Sequence, residues 1–81
     1  MTRRKDKGSK VMKEVKYDII KEIGIISEKR TISFEFNIIS WSGDDPKYDI
    51  RRWNKNGPLK GITLSTEEAE ILLELLKQEL E

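Results

Sequence analysis

The chain has 81 residues, with 16 lysines and arginines, 15 acidic residues and a net charge of +1. It contains neither cysteine nor histidine, which excludes disulfide frameworks, thiolate metal sites and catalysis by histidine. No apolar run approaches the length of a membrane span or a signal-peptide core, so we expect one small intracellular domain that has no membrane partner.

Charge is distributed unevenly along the chain. Residues 1–16 hold seven lysines and arginines against two acidic residues, whereas residues 65–81 hold one lysine against six glutamates. The first ten residues contain almost no hydrophobic side chain and show no apolar periodicity. We therefore predict a disordered basic tail at 1–14 and a folded domain at 15–81.

Four strands are predicted, because runs rich in β-branched and aromatic residues alternate with turn signals. Gly24 indicates a bulge or a bend in the first of them. The predicted strands are 15–27, 31–41, 47–53 and 60–64, and the predicted turns and loops are 27–30, 42–46 and 54–58.

One helix is predicted after the fourth strand. Ser65 is an N-cap, and Glu68, three residues later, completes a capping box. Ile71 and Leu75 widen the apolar stripe of this helix beyond what one sheet requires, which predicts a homodimer interface. The alternative is that both are ordinary, partly exposed residues. The stripe itself consists of Ala69, Leu72, Leu73, Leu76 and Leu80.

Together these elements predict an α+β fold of order ββββα, with one face of the sheet under the helix and the other face open. Alternation along the strands places both tryptophans on the more polar face, which we expect to be the open one. The candidate residues on that face are Asn37, Trp41, Lys47, Arg51 and Trp53.

Exposed tryptophans beside cations are typical of a surface that binds single-stranded nucleic acid. Their rings stack on unpaired bases, and the cations contact phosphates with an affinity that depends on salt. The alternative is that both tryptophans pack at the rims of the core, with Arg51 covering one ring.

The order of the motifs is also informative. DIRRW at 49–53, then a loop, then KGITLSTEEAEILLELL resembles the C-terminal domain of the transcriptional positive cofactor four family. The likeness to small bacterial YdbC-type members extends to YDII in the first strand and to SW, an acidic loop and PKYDIR. It covers about residues 16–80.

This resemblance implies a curved four-stranded antiparallel sheet followed by one helix, assembled as a homodimer through helices and sheet edges. It also implies non-enzymatic binding of single-stranded DNA with little sequence preference. By the same resemblance, Trp41 and Trp53 stack on bases and Arg51 and Lys60 contact phosphate, while Lys47 is a less exact match.

We add two further candidates to this set, Lys55 as a phosphate contact and Asn37 as a hydrogen-bonding residue. The implied cellular role is transcription regulation of a coactivator kind, or replication and repair, with the corresponding machinery as partner. The implied location is the cytoplasm, associated with the nucleoid, or the nucleus in a eukaryote. The acidic loop SGDDP predicts fewer phosphate contacts on its side.

Two other functions are considered. The same surface is suited to single-stranded RNA, as in a chaperone or translation factor, since stacking tolerates either sugar. A protein-interaction module would instead use the acidic helix and its extra apolar edge. An enzyme and a cofactor are not expected, because Asp44, Asp45 and Asp49 lack a histidine or cysteine to complete a catalytic metal site.

Overall fold

The computed structural model describes residues 16–81 and shows four antiparallel strands followed by one helix. The strands are hydrogen-bonded in chain order, so each one pairs with the next. This confirms the predicted α+β class and the order ββββα, while the predicted tail at 1–14 lies outside the described residues. The elements are β1 (Tyr17–Lys29), β2 (Ile32–Trp41), β3 (Lys47–Asn54), β4 (Gly57–Leu64) and α1 (Thr66–Leu80).

β1 and β4 are longer than the sequence predicted. β1 continues to Lys29, and the turn into β2 begins at Arg30, which has a φ of 55°. β4 begins at Gly57, which pairs with Asn54 across a two-residue turn. The φ of Gly57 is 126°, a region that other residues rarely enter, so glycine suits this position. The tight turn extends the hydrogen-bonded ladder into a segment that was predicted to be loop.

β1 is interrupted by bulges, and the predicted irregularity at Gly24 is confirmed. A bulge adds a residue to one strand of a pair, which bends that strand and increases its twist. Three of them in one strand curve the sheet strongly. The register shifts lie between Ile19 and Lys21, between Glu22 and Gly24, and between Ile25 and Ser27.

The sheet curls around the face that carries both tryptophans, called here the inner face. Asn37, Ile39 and Asp49 lie on this face and are only 0–1% exposed. The helix α1 contacts only strands β3 and β4, so it does not cover Asn37 and Ile39 of β2. No helix or second sheet of the described chain covers these residues. They can be buried only because the sheet curves around them. Curvature, rather than a covering helix, therefore forms the core.

α1 starts at the predicted capping box. The Ser65 Oγ accepts a hydrogen bond from the Glu68 backbone N–H at 3.1 Å, and the Glu68 Oε1 accepts one from the Ser65 N–H at 2.8 Å. Thr66 lines a shallow cavity with Ile38 and Tyr48, so the helix begins on the outer face, opposite the tryptophans.

The expectation that the helix covers one face of the sheet is wrong. Within the described chain, α1 contains no buried residue, and it contacts only β3 and β4. Within residues 16–81, the helix is neither long enough nor apolar enough to cross a membrane.

Candidate nucleic-acid interface

The inner face brings together five of the residues singled out in the sequence. Trp41 lies opposite Tyr17 of β1, Asn37 lies opposite Asp49, and Ser33 lies opposite Trp53. Because cross-strand partners share a face, the predicted grouping of both tryptophans with Asn37, Lys47 and Arg51 is confirmed.

Three aromatic rings meet on the inner face and form what we call the aromatic cluster, Tyr17, Trp41 and Trp53. The Tyr17 ring centroid is 5.2 Å from that of Trp41 and 5.5 Å from that of Trp53. Trp41 and Trp53 lie toward opposite ends of the β2–β3 pair, so a flat sheet would keep them apart. The curl of the sheet brings both into contact with Tyr17. Each of the three side chains is half-buried, so part of it remains accessible to solvent.

Asp49 is the centre of a polar network beside the aromatic cluster. Its Oδ1 accepts a hydrogen bond from Arg51 Nε at 2.7 Å, and its Oδ2 accepts one from Arg51 Nη2 at 2.8 Å. The same Oδ2 accepts a third bond, from Trp41 Nε1 at 3.0 Å. Charge-assisted bonds with this forked geometry are short and strong, so they fix the three side chains relative to one another.

Arg51 makes two further contacts, one with a backbone carbonyl and one with the Trp41 ring. Its Nη1 donates to the Leu59 carbonyl oxygen at 2.9 Å, and its guanidinium carbon lies 4.5 Å from the centroid of the Trp41 ring. The guanidinium therefore covers one face of that ring and makes a cation–π contact. This is the arrangement considered above as the alternative, in which Arg51 covers a tryptophan.

The expectation that the centre of the inner face is open is wrong. Arg51 is 7% exposed and Asn37 is 1% exposed. The Asn37 Nδ2 donates to Glu35 Oε1 at 3.2 Å. Direct contact of either residue with DNA stays a prediction, and their burial and existing hydrogen bonds argue against it.

Three of the candidate lysines are exposed and lie outside the buried centre of the inner face. Lys47 starts β3, Lys55 lies in the turn to β4, and Lys60 lies in the irregular part of β4, directly before Gly61, which pairs with Arg51. Acidic residues share the inner face itself, since Glu22 pairs with Asn37 and Glu35 with Arg51. A phosphate chain is therefore better accommodated along the margins than across the middle.

The carboxylates considered for a metal site do not form one. Asp49 is occupied by Arg51 and Trp41, while Asp44 and Asp45 lie in the exposed loop between β2 and β3. In residues 16–81, no group of three acidic side chains is placed to hold a metal ion.

Two functional candidates were missed from the sequence, Tyr17 and Asp49. Tyr17 is the first residue of β1. The bulges in this strand interrupt the alternation of side chains between the two faces, so alternation could not assign Tyr17 to the cluster. Asp49 was considered only for a metal site, and nothing in its spacing indicates that it accepts hydrogen bonds from both Arg51 and Trp41. Burial of both Ser33 Oγ and Trp53 Nε1 without a hydrogen-bond partner in the described chain was equally invisible in the sequence.

Comparison of the chain with protein-family models and with curated proteins finds no match. The geometry of the inner face and the motif resemblance are therefore the two observations that bear on function.

Proposed function

We propose that the chain is a non-enzymatic protein that binds single-stranded DNA with little sequence preference and acts as a homodimer. The observation that carries this proposal is the aromatic cluster, three half-buried rings on a concave sheet face with exposed lysines at its margins. The resemblance of the DIRRW and KGITLS motifs to the positive cofactor four family supports the same function.

Stacking provides the sequence-tolerant part of the binding energy. Every base presents a π-face, and base–aromatic stacking contributes about 1–3 kcal/mol per base. Trp41 has one ring face covered by Arg51, so a base would stack on the side that Arg51 leaves free. Stacking requires unpaired bases, which favours a single strand over a duplex.

Phosphate binding is assigned to Lys47, Lys55 and Lys60. All three side chains are exposed. For single strands, each neutralised phosphate contributes about 0.7 to the slope of log affinity against log salt. Three lysines per protomer therefore support a binding that is clearly, though not extremely, salt-dependent.

The homodimer is supported by the uncovered apolar surface of α1. Ile71 is 60% exposed and Leu75 is 55% exposed, and three further leucines of the helix are exposed as well. A helix with a continuous apolar face left in water normally buries it against a partner. A second copy supplies a self-complementary surface with the same stripe, and two inner faces then offer a longer track to one strand.

A protein-interaction module is the second candidate, because the same exposed helix would fit a foreign apolar partner. A homodimer occupies that surface, so the oligomeric state decides between the two. Single-stranded RNA is the other ligand to be tested. A role in transcription regulation or in replication and repair would follow from DNA binding through the choice of protein partner.

The test is binding of a labelled oligo-dT of about twenty nucleotides, the order of the site size of one or two small binding domains. A duplex and an oligo-U of the same length are compared over a salt series. We expect tight binding to oligo-dT, weaker binding to the duplex, and one strand per two chains. Equal affinity for the duplex, lost at moderate salt, would leave only nonspecific charge attraction and would refute the proposal.

Lysine variants of equal charge give a matched control for the phosphate contacts. Lys60→Gln should reduce the salt slope by about 0.7, the value for one phosphate. Lys77→Gln, at the end of α1, should leave the slope unchanged because this lysine lies far along the helix from the inner face.

A further inference from the structure

We propose that Asp49 is a positioning residue, which fixes Trp41 for stacking and withdraws Arg51 from phosphate binding. The inference rests on the proposed function and deepens it, since it separates the residues that touch DNA from those that prepare the surface. It assigns to Arg51 a different role from the phosphate contact expected from the sequence.

The geometry of Asp49 is the first support. Its carboxylate is fully buried, at 0% exposure, and it accepts three hydrogen bonds from two side chains that both belong to the candidate site. The bond from Trp41 Nε1 fixes the plane of the indole. The two bonds from Arg51 fix the plane of the guanidinium, which lies over the same indole.

Charge is the second support. A buried carboxylate is tolerated only when an opposite charge and hydrogen bonds compensate it, so Asp49 requires Arg51 in its present position. The Arg51 guanidinium donates two hydrogen bonds to Asp49 and a third to the Leu59 carbonyl oxygen, so its charge is paired and three of its five N–H donors are used. Arg51 is also only 7% exposed, which leaves a phosphate little access to the remaining donors. A phosphate would have to displace the carboxylate from that fork.

Different residues therefore provide base stacking and phosphate binding. Arg51 serves as a rigid backing for Trp41, so this ring offers a base its other face only. The lysines at the margins carry the salt-dependent attraction. Asp49 touches no ligand and acts through Trp41 and Arg51.

The charge prediction is tested with a paired substitution, because removing Arg51 alone would leave Asp49 buried and uncompensated. Asp49→Asn with Arg51→Gln removes both charges and keeps both side chains polar. We expect its oligo-dT affinity to fall while its salt slope stays equal to that of the parent protein. Lys60→Gln, measured alongside, should reduce the slope by about 0.7. A reduction of the same size in the paired variant would mean that Arg51 contacts phosphate, and would overturn the inference.

The positioning prediction is tested without DNA. In a Trp53→Phe background, Trp41 is the single fluorophore of its kind, since the chain contains two tryptophans. Asp49→Asn in this background should increase quenching by acrylamide and shift the emission to the red, toward the values of an exposed tryptophan. Unchanged quenching and emission in a folded variant would overturn the positioning role.

Two further comparisons keep the outcomes separate. If Asp49→Asn alone does not fold by circular dichroism, the paired variant in the Trp53→Phe background replaces it, with the same expectation for quenching. If the parent protein fails to bind oligo-dT, the proposed function is refuted and the phosphate part of the inference falls with it. The acrylamide result then still decides whether Asp49 holds Trp41.

Discussion

The inner face of the sheet and the helix α1 distribute polarity in opposite ways. The inner face buries Asn37, Asp49 and Arg51, which are polar or charged, and pairs them with one another or with neighbouring groups. α1 exposes Ile71 and Leu75, which are apolar, and buries no side chain within the described chain.

This difference teaches which part of the fold is complete in one chain. On the inner face, three hydrogen bonds compensate the buried Asp49 carboxylate, and three aromatic rings pack against one another, all within a single chain. The helix has no such compensation, because it touches the sheet only at β3 and β4. This difference supports the proposal that the inner face binds a ligand and that the helix binds a second copy of the chain.

The largest effect is expected at the helix, where Leu75→Lys should convert the proposed dimer to a monomer. Burying a leucine contributes about 1.5–3 kcal/mol. A two-fold interface loses it twice, so association should weaken by about 3–6 kcal/mol. Sedimentation or light scattering measures the mass, with Gln78→Lys as the control of equal charge on the same helix. A Leu75→Lys variant that keeps the parental mass would contradict the assigned interface.

The next effect is expected on the inner face, where replacing Trp41 and Trp53 together with alanine should weaken oligo-dT binding by about 2–6 kcal/mol, the loss of two stacking contacts. Tyr48→Ala is the control, because this aromatic residue lies on the outer face. Fluorescence polarisation measures the affinity, and circular dichroism checks that each variant is folded. A folded double variant that binds as tightly as the parent protein would remove the aromatic cluster from the site.

A smaller effect concerns the backbone beneath the inner face. A Cβ added at Gly61 would collide with Arg51 Cβ and lie 2.5 Å from the Ile50 carbonyl oxygen, so the strands would have to separate. We expect Gly61→Ala to lower the free energy of unfolding by about 1–3 kcal/mol or more. Gly24→Ala is the matched control, since nothing lies within 4 Å of the added atom there. Equal denaturation midpoints for the two variants would show that β3 and β4 adjust freely.

The smallest effect is expected at the start of α1. Ser65→Ala removes the acceptor for the Glu68 N–H and should cost about 1 kcal/mol of helix stability. Thr66→Ala, one residue later, should cost much less because Thr66 is not the capping residue. Far-UV circular dichroism during thermal unfolding measures both. Indistinguishable melting curves would mean that the Ser65 cap does not stabilise the first turn.

The architecture could be predicted because its signals are local. β-branched runs and turn residues indicated the strands, and Ser65 with Glu68 indicated the start of the helix before any contact was known. Strand alternation also grouped Trp41 and Trp53 correctly. Boundaries were less accurate, as at Gly57, because pairing across a tight turn extends a strand into residues that are typical of loops.

The site could be predicted only in part. Alternation identifies which residues share a face, but it does not indicate whether that face curls inward or stays flat. Asn37 and Arg51 were therefore expected at an open surface, although curvature buries them. Tyr17 was missed for a related reason, since the bulges that follow it in β1 break the simple alternation.

The sequence by itself determined the order of strands and helix, the capping box, the shared face of the tryptophans and the surplus apolar stripe of α1. Each of these depends on neighbours a few residues apart. Only the tertiary structure decided that the tryptophan face is concave, that Tyr17 joins Trp41 and Trp53, and that Asp49 holds Arg51 over an indole ring. These features depend on the accumulated twist and bulging of a whole sheet, which no short stretch of sequence encodes.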